Sequence, residues 1–332
     1  MNILAGDIGG TKTNLSIFSS DFGFGNPLAE LSFPSGSYES LEDIIRAFKS
    51  EVNIPFTRAC FGVAGPVING SAQITNLPWV VNAVSIKTAF DLSVVGLLND
   101  LESVAYAIPI LEAQDIYTLN TGKPVRSANI AVLAPGTGLG EGFLTIENGR
   151  HIAHASEGSH ASFAPENDLQ MGLWKFIHGK GYEHISFERV CSGGLGIPLL
   201  YEYLKSIKAA PEPDWLQAKL ANAVDHTPVI FNAAHDPENP SALAAATVEL
   251  FVEILGAEAG NLALKVLATG GLYLGGGIPP RILKELQQPA FLEAVCSKGR
   301  FKEMLSNIPV HVIMNPKAGL LGSASYGLSM PG

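Results

Sequence analysis

Cysteine is scarce in this chain of 332 residues: Cys60, Cys191 and Cys296 are odd in number and far apart, which excludes a disulfide framework and a thiolate metal knot. A reduced, cytoplasmic setting is the simplest expectation. Positive charge is also short. Lys and Arg total 21 against 31 Asp and Glu, a net charge of -10, so no basic surface stands ready to neutralise a nucleic-acid backbone, and nucleic acid is not expected as a partner. Long uncharged apolar runs are missing as well. The most apolar segment, Ala242 to Leu267, carries Glu249, Glu253, Glu258 and Lys265, a density too costly for a bilayer core, so it reads as a buried helix and no membrane association is expected. No cationic, apolar leader precedes the first structured run, and the expectation is that there is no signal peptide. What is abundant is apolar residue (47%) and glycine (35 residues), against only 16% charged. That balance disfavours disorder and coiled coil, favours a fold with many tight turns, and at this length predicts two domains.

The pattern along the chain is α/β. Asn2 to Ala5 is an apolar run that meets Asp7, Gly9, Gly10 and Thr11, after which Asn14 to Ile17 alternate: strand, glycine turn, strand. Further strands are predicted at Leu28–Phe33, Arg58–Val63 and Val94–Leu98. Leu41, Ile44, Ile45 and Phe48 recur at helical spacing behind a Ser40/Asp43 capping pair, and Leu101–Ile108 reads as a short helix stopped by Pro109. The same grammar returns at Asn129–Ala134, where a strand meets Gly136, Thr137, Gly138 and Gly140 before Phe143–Ile146 resumes as a strand. The chain uses one device twice. Helices follow at Leu169–Ile177, Leu199–Ile207 and Ala242 onward, then a strand at Leu272–Leu274 ending in Gly275, Gly276 and Gly277, a helix begun by Pro279, a strand at His311–Met314 and a closing helix at Ala318–Leu328. Asn120–Ser127 reads as a surface connection near a domain border.

Three glycine clusters are candidate phosphate or nucleotide contacts. Glycine lets backbone amides approach an anion, Thr11 adds a hydroxyl donor, and Asp7 is a candidate to hold a hydrated divalent cation. The plainer alternative for Gly9–Gly10–Thr11 is a simple hairpin turn. Gly136 to Gly140 is not a dinucleotide fingerprint, because its spacing is too tight and a strand follows rather than a helix. Gly275 to Gly277, opening a helix, suits a nucleotide's sugar and base or its α-phosphate, or else a tightly packed strand exit. Asn99 and Asp100 end a buried strand where a cleft usually opens, with an N-cap role for Asp100 as the alternative. His151, His154, Glu157 and His160 fall at three-residue intervals that invite a metal site, but Gly158 and Ser159 break any helix that would align them. Glu157 and His160 read instead as loop groups that hydrogen-bond a neutral polyol. Glu188 joins them, or else pairs with Arg189 or starts a helix.

In order and spacing, Asp7-Ile8-Gly9-Gly10-Thr11, Leu98-Asn99-Asp100, Gly136-Thr137-Gly138-Leu139-Gly140, Glu157-Gly158-Ser159-His160, Phe187-Glu188-Arg189-Val190 and Gly275-Gly276-Gly277-Ile278 resemble the bacterial glucokinase family. Gly65-Pro66, Thr75-Asn76, Trp79 and the tail Asn315 to Gly322 extend the resemblance nearly end to end. It implies an α/β, two-domain actin-like (ribonuclease H-like) hexokinase-type fold with a cleft between the domains. Residues 1–109 with 315–332 would form the small α/β domain and residues 110–314 the large α+β domain. By resemblance Asp100 is the general base toward the sugar 6-hydroxyl, and Asn99, Glu157, His160 and Glu188 bind other sugar hydroxyls. The glycine turns are matched to ATP, with Mg2+ as cofactor, glucose as partner substrate and a homodimer as the assembly that fits. Lys12 stands where many members have asparagine, and Ser162 replaces an acidic residue, so nucleotide handling and the choice of hexose or amino sugar stay open. The cysteine-rich zinc motif of the related repressor and sugar-kinase group is absent. A sugar-responsive DNA-binding regulator is disfavoured by the early position of Asp7 and the acidic charge, and a non-catalytic binding protein of the same fold is the other alternative.

Overall fold

A computed structural model describes every residue except Thr75, Asn76 and Gly332, so the Thr75-Asn76 pair quoted above lies outside the described residues. The chain forms two compact units: Met1–Ile116 with Gly142–Ala155 and Asn315–Gly332, and Tyr117–Glu141 with Ser156–Met314.

The first unit is built on a five-stranded sheet. Its strands are β1 (Asn2–Ile8), β2 (Lys12–Ser19), β3 (Ala29–Pro34) and β4 (Arg58–Val63); after a small ribbon of β5 (Ser71–Gln73) and β6 (Val80–Asn82) comes β7 (Val94–Asn99). The order is β3-β2-β1-β4-β7, antiparallel over β1 to β3 and parallel across β1, β4 and β7. β1 and β4 are buried on both faces, so they read as continuous apolar runs rather than alternating ones. On one face the helix Leu41–Glu51 lays down Leu41, Ile44, Ile45 and Phe48, with Ser40 capping it by accepting from the Asp43 amide at 3.2 Å. The helix Ala318–Ser329 packs tightly on the helix Asp100–Ala107: a methyl group at Gly322 would lie 1.6 Å from the Ser103 carbonyl oxygen, so only glycine permits this approach.

The remaining strands are β8 (Ile116–Asn120), β9 (Ile130–Pro135), β10 (Leu139–Glu147), β11 (Arg150–Ser156), β12 (Gly271–Leu274) and β13 (Val310–Ile313), in the order β11-β10-β9-β12-β13-β8. Read from β11 to β13 this repeats the order of the first sheet, with β9 in the place of β1 and β12, parallel to both β9 and β13, in the place of β4. The doubled strand–turn–strand device is therefore a doubled sheet topology. Around it lies the larger core, centred on the helix Ala242–Val266, which Ser241 caps and a left-handed Leu267 ends. Most of that helix is buried on all sides, including Phe251, Leu255 and the carboxylate of Glu258. Among the described residues no helix is long and apolar enough to cross a membrane.

The structure corrects the sequence reading at four places. Pro279–Ile282 is a 3-10 turn, and only Leu283–Leu286 is α-helical. Val80–Asn82 and Ser71–Gln73 pair as a ribbon that the sequence reading omitted. Ile116–Asn120 is an edge strand, so the connection near the domain border begins after Asn120. His151 to Ser156 belongs to a strand, which puts His151 and His154 on opposite faces. His154 there stacks on Phe143 and hydrogen-bonds Thr145 at 2.8 Å.

Candidate active site

In the first unit the turn between β1 and β2 is fixed from below. The Gly9 amide donates to the Lys12 carbonyl at 3.0 Å, the Ser35 hydroxyl donates to the Gly9 carbonyl at 2.7 Å, and the Ser35 amide donates to the Thr11 carbonyl at 3.0 Å. With its carbonyls held this way, the turn leaves the Gly10 and Thr11 amides without an acceptor among the described residues. Such a turn is a ready anion cradle. Asp7, one step before it, is cross-paired with Asn14 on β2 and Gly62 on β4. Burial raises the pKa of its carboxyl, partly offset by a hydrogen bond from Asn14 and by the Lys12 charge. A desolvated carboxylate with so little compensation fits a hydrated cation. Among the described residues no three carboxylate, imidazole or thiolate groups gather into a metal cage, so a magnesium ion here would draw its remaining ligands from water and phosphate.

The end of β7 sets the second group of the first unit. Asn99, extended at φ -71°, is the N-cap of Asp100–Ala107: its side-chain oxygen accepts from the Glu102 amide at 2.6 Å, and Glu102 accepts from the Asn99 amide at 3.0 Å. The capping alternative considered for Asp100 thus belongs to its neighbour, and Asn99 keeps only its amide nitrogen for a ligand. Asp100 is left as the first helical residue, exposed, with one carboxylate oxygen accepting from the Leu101 amide at 2.9 Å.

In the second unit three glycine segments meet. The turn Gly136–Thr137–Gly138 joins β9 to β10, and its Gly136 and Thr137 carbonyls accept from the amides of Gly193 (2.8 Å) and Gly194 (2.9 Å). The Thr137 and Gly138 amides have no acceptor among the described residues. Gly276 has φ +80°, and a methyl there would lie 2.5 Å from the Pro135 carbonyl oxygen, so this turn can only be glycine. Together these segments border a cavity of about 210 Å³, also lined by Thr227, Phe231, Ile278 and Arg281. Thr227 donates its hydroxyl to the Gly193 carbonyl. Sequence reasoning grouped the first and third segments but missed Gly193–Gly194, missed Thr227 and Phe231, which come from the distant helix His226–His235, and missed Arg281, which stands in the 3-10 turn just after Gly277. A larger cavity, about 720 Å³, is lined by Tyr201, Lys205 and Glu212 and holds none of the expected site residues.

The polyol candidates are also brought together in the second unit. A 3-10 turn at Gly158–His160 sets Glu157 and His160 side by side, with His160 Nε2 3.7 Å from Glu157 and Nδ1 3.3 Å from Glu188. Glu188 occupies the first turn of Phe187–Cys191, capped by Ser186, while the Arg189 guanidinium lies 4.0 Å from the Tyr182 ring centre. The Glu188–Arg189 pairing considered from sequence is not formed. A methyl on Gly138 would stand 3.1 Å from Glu188 Oε1, so this carboxylate adjoins the turn Gly136–Gly138.

Known proteins match this chain along its length. The family model described as Glucokinase matches residues 4–330. The glucokinase of Trichormus variabilis is 39% identical over 336 residues, spanning 97% of each chain. That of Yersinia pestis is 33% identical over 323 residues, spanning 97% of this chain and 95% of its own. Among solved structures, a glucokinase from an Antarctic psychrotroph superposes with a TM-score of 0.83 at 32% identity and covers 99% of both chains. A ROK family glucokinase from Streptomyces griseus, solved with glucose and AMPPNP, shares the fold at a TM-score of 0.64 and 20% identity, covering 99% of this chain and 100% of its own.

Proposed function

This chain belongs to the glucokinase family, and on that premise we propose that it transfers the γ-phosphoryl group of ATP to the 6-hydroxyl of glucose, the first step of glycolysis. Asp100 accepts the proton of the 6-hydroxyl as that oxygen attacks the γ-phosphorus and ADP leaves. A base positioned in this way contributes about 10² to 10⁴ in rate, or roughly 3 to 5 kcal/mol of the barrier. Glu157, His160, Glu188 and the free amide nitrogen of Asn99 take the other sugar hydroxyls; carboxylates accept from them, and the imidazole completes the network. The amides of Gly10, Thr11, Thr137 and Gly138 donate to the phosphates, where they need no reorganisation as charge shifts between oxygens. The Gly275–Gly277 turn with Thr227, Phe231 and Arg281 receives the nucleoside end. Asp7 would hold a magnesium ion through water, and that ion would supply positive charge to neutralise the triphosphate. The reading extends to a cytoplasmic homodimer that binds neither nucleic acid nor membrane.

One observation supports this most: Glu188 lies 3.3 Å from His160, and one of its oxygens lies 3.1 Å from where a methyl on Gly138 would stand, so the groups read as alcohol ligands and the turn read as a phosphate cradle are neighbours within one unit. The test is a matrix of hexoses and amino sugars against ATP, other nucleotides and polyphosphate, scored by product. Glucose with ATP should give the highest kcat/KM, and a different best pair would replace the substrate assignment.

A further inference from the structure

A second acid pair lies beside the sugar turn, and neither of its members belongs to the groups assigned above. Glu141, on β10, is 1% exposed, and Glu258, on the long helix, is fully buried. The two carboxyls are in hydrogen-bonding proximity. Their surroundings differ. Glu258 accepts from Lys265 at 3.1 Å and from Asn261 at 2.9 Å, so its charge is compensated. Among the described residues neither oxygen of Glu141 meets an N–H or O–H donor, so the bond between the two acids requires a proton carried by Glu141 itself. Among the described residues Cys191, fully buried, also faces the pair, and burial first and then the Glu258 charge push its thiol up. Glu141 also reaches the sugar turn: a methyl at Gly158 would stand 2.3 Å from its Oε2. Gly158 lies between Glu157 and His160, and its amide is tied to the Ser156 hydroxyl at 3.0 Å.

We propose that Glu141 is a positioning residue for sugar binding: as a neutral acid bonded to Glu258 it fills the space against Gly158 and holds Glu157 and His160 in place. The inference rests on the reading of those two residues as sugar ligands. Burial first, and then the Glu258 charge, push the Glu141 carboxyl up to about 8, with Lys265 opposing, so the acid is neutral at physiological pH. When it ionises, a second negative charge arises in a buried space with no donor, and the turn has to move.

The test uses the full-length protein and Glu141→Gln, which keeps the shape and a donor to Glu258 but cannot titrate. In the wild type, KM for glucose should rise roughly fivefold or more between pH 7 and pH 9 while kcat changes less. The variant should match the wild-type KM at pH 7 within about twofold and lack the rise. A flat wild-type KM, or the same rise in both proteins, overturns the proposal. Thermal unfolding without ligand separates this from the assignment of function. An acid whose pKa is raised by folding stabilises the fold below its unfolded value near 4.5, and that contribution is lost as pH climbs to about 8. The wild-type midpoint should therefore fall relative to Glu141→Gln from pH 5 to pH 8 and run parallel above. Parallel curves throughout refute the raised acid even if no sugar is ever phosphorylated. Failure of the substrate matrix with diverging curves removes the sugar reading alone.

Discussion

Gly276 and Gly277 are neighbours in one turn, yet the structure assigns them opposite responses to the same methyl group. At Gly276 the backbone is left-handed, which costs an alanine about 1 kcal/mol, and the methyl would lie 2.5 Å from the Pro135 carbonyl oxygen, forcing a shift of the kind that costs about 1 to 3 kcal/mol. Gly276→Ala should therefore lose about 2 to 4 kcal/mol. For 332 residues the unfolding entropy is about 0.7 kcal/mol/K, so the midpoint should drop by about 3 to 6 °C, and further if the second unit unfolds alone. At Gly277 nothing lies within 4 Å of the added methyl, and the position lines the cavity assigned to the nucleoside. Gly277→Ala should keep the wild-type midpoint within about 1 °C and raise KM for ATP with little effect on KM for glucose. Scanning calorimetry and initial-rate kinetics read both variants. A Gly276→Ala protein as stable as the wild type, or a destabilised Gly277→Ala, would refute the geometry of the turn. An unchanged KM for ATP in Gly277→Ala would refute the cavity's role.

Two further predictions concern the groups around the reacting alcohol. Asn99→Ala removes the cap that sets Asp100 at the helix start, so urea unfolding should show a loss of about 1 kcal/mol, and kcat should fall roughly tenfold or more, while Asn99→Asp restores the stability. Glu157→Gln and His160→Ala should weaken glucose binding in calorimetry by about ten- to hundredfold and leave nucleotide affinity within about twofold; equal glucose affinity would remove these residues from the sugar site.

Much of the fold was legible because its signals are local. The buried runs of β1, β4 and β9, each ending at a glycine or a strand exit, announce strands by composition, and Ser40 with Asp43 announces a helix start. The strand–turn–strand device was legible twice, whereas the shared order of the two sheets was not, because strand order depends on tertiary pairing. Signals that depend on tertiary partners were lost. The edge strand Ile116–Asn120 and the strand holding His151 and His154 are half-exposed and polar, so their alternation was masked. Asp100 looked like a cap because Asp and Asn compete for that role, and only the Glu102 side chain reaching back to the Asn99 amide decides between them. Phe231 and Thr227 reach the cavity beside Gly277 from a helix remote in sequence, and Glu141 carries no local signal because its weight comes from its burial near Glu258 and Gly158.

The claim on which the mechanism turns is that the Asp100 carboxylate removes the proton from the sugar alcohol. Asp100→Asn keeps the size of the side chain and an oxygen able to accept from the Leu101 amide, so the fold and both affinities should persist. Measured at saturating glucose and ATP, its kcat should fall by about 10² to 10⁴ with KM values changed by no more than a few-fold. A variant that turns over at the wild-type rate would contradict the assignment.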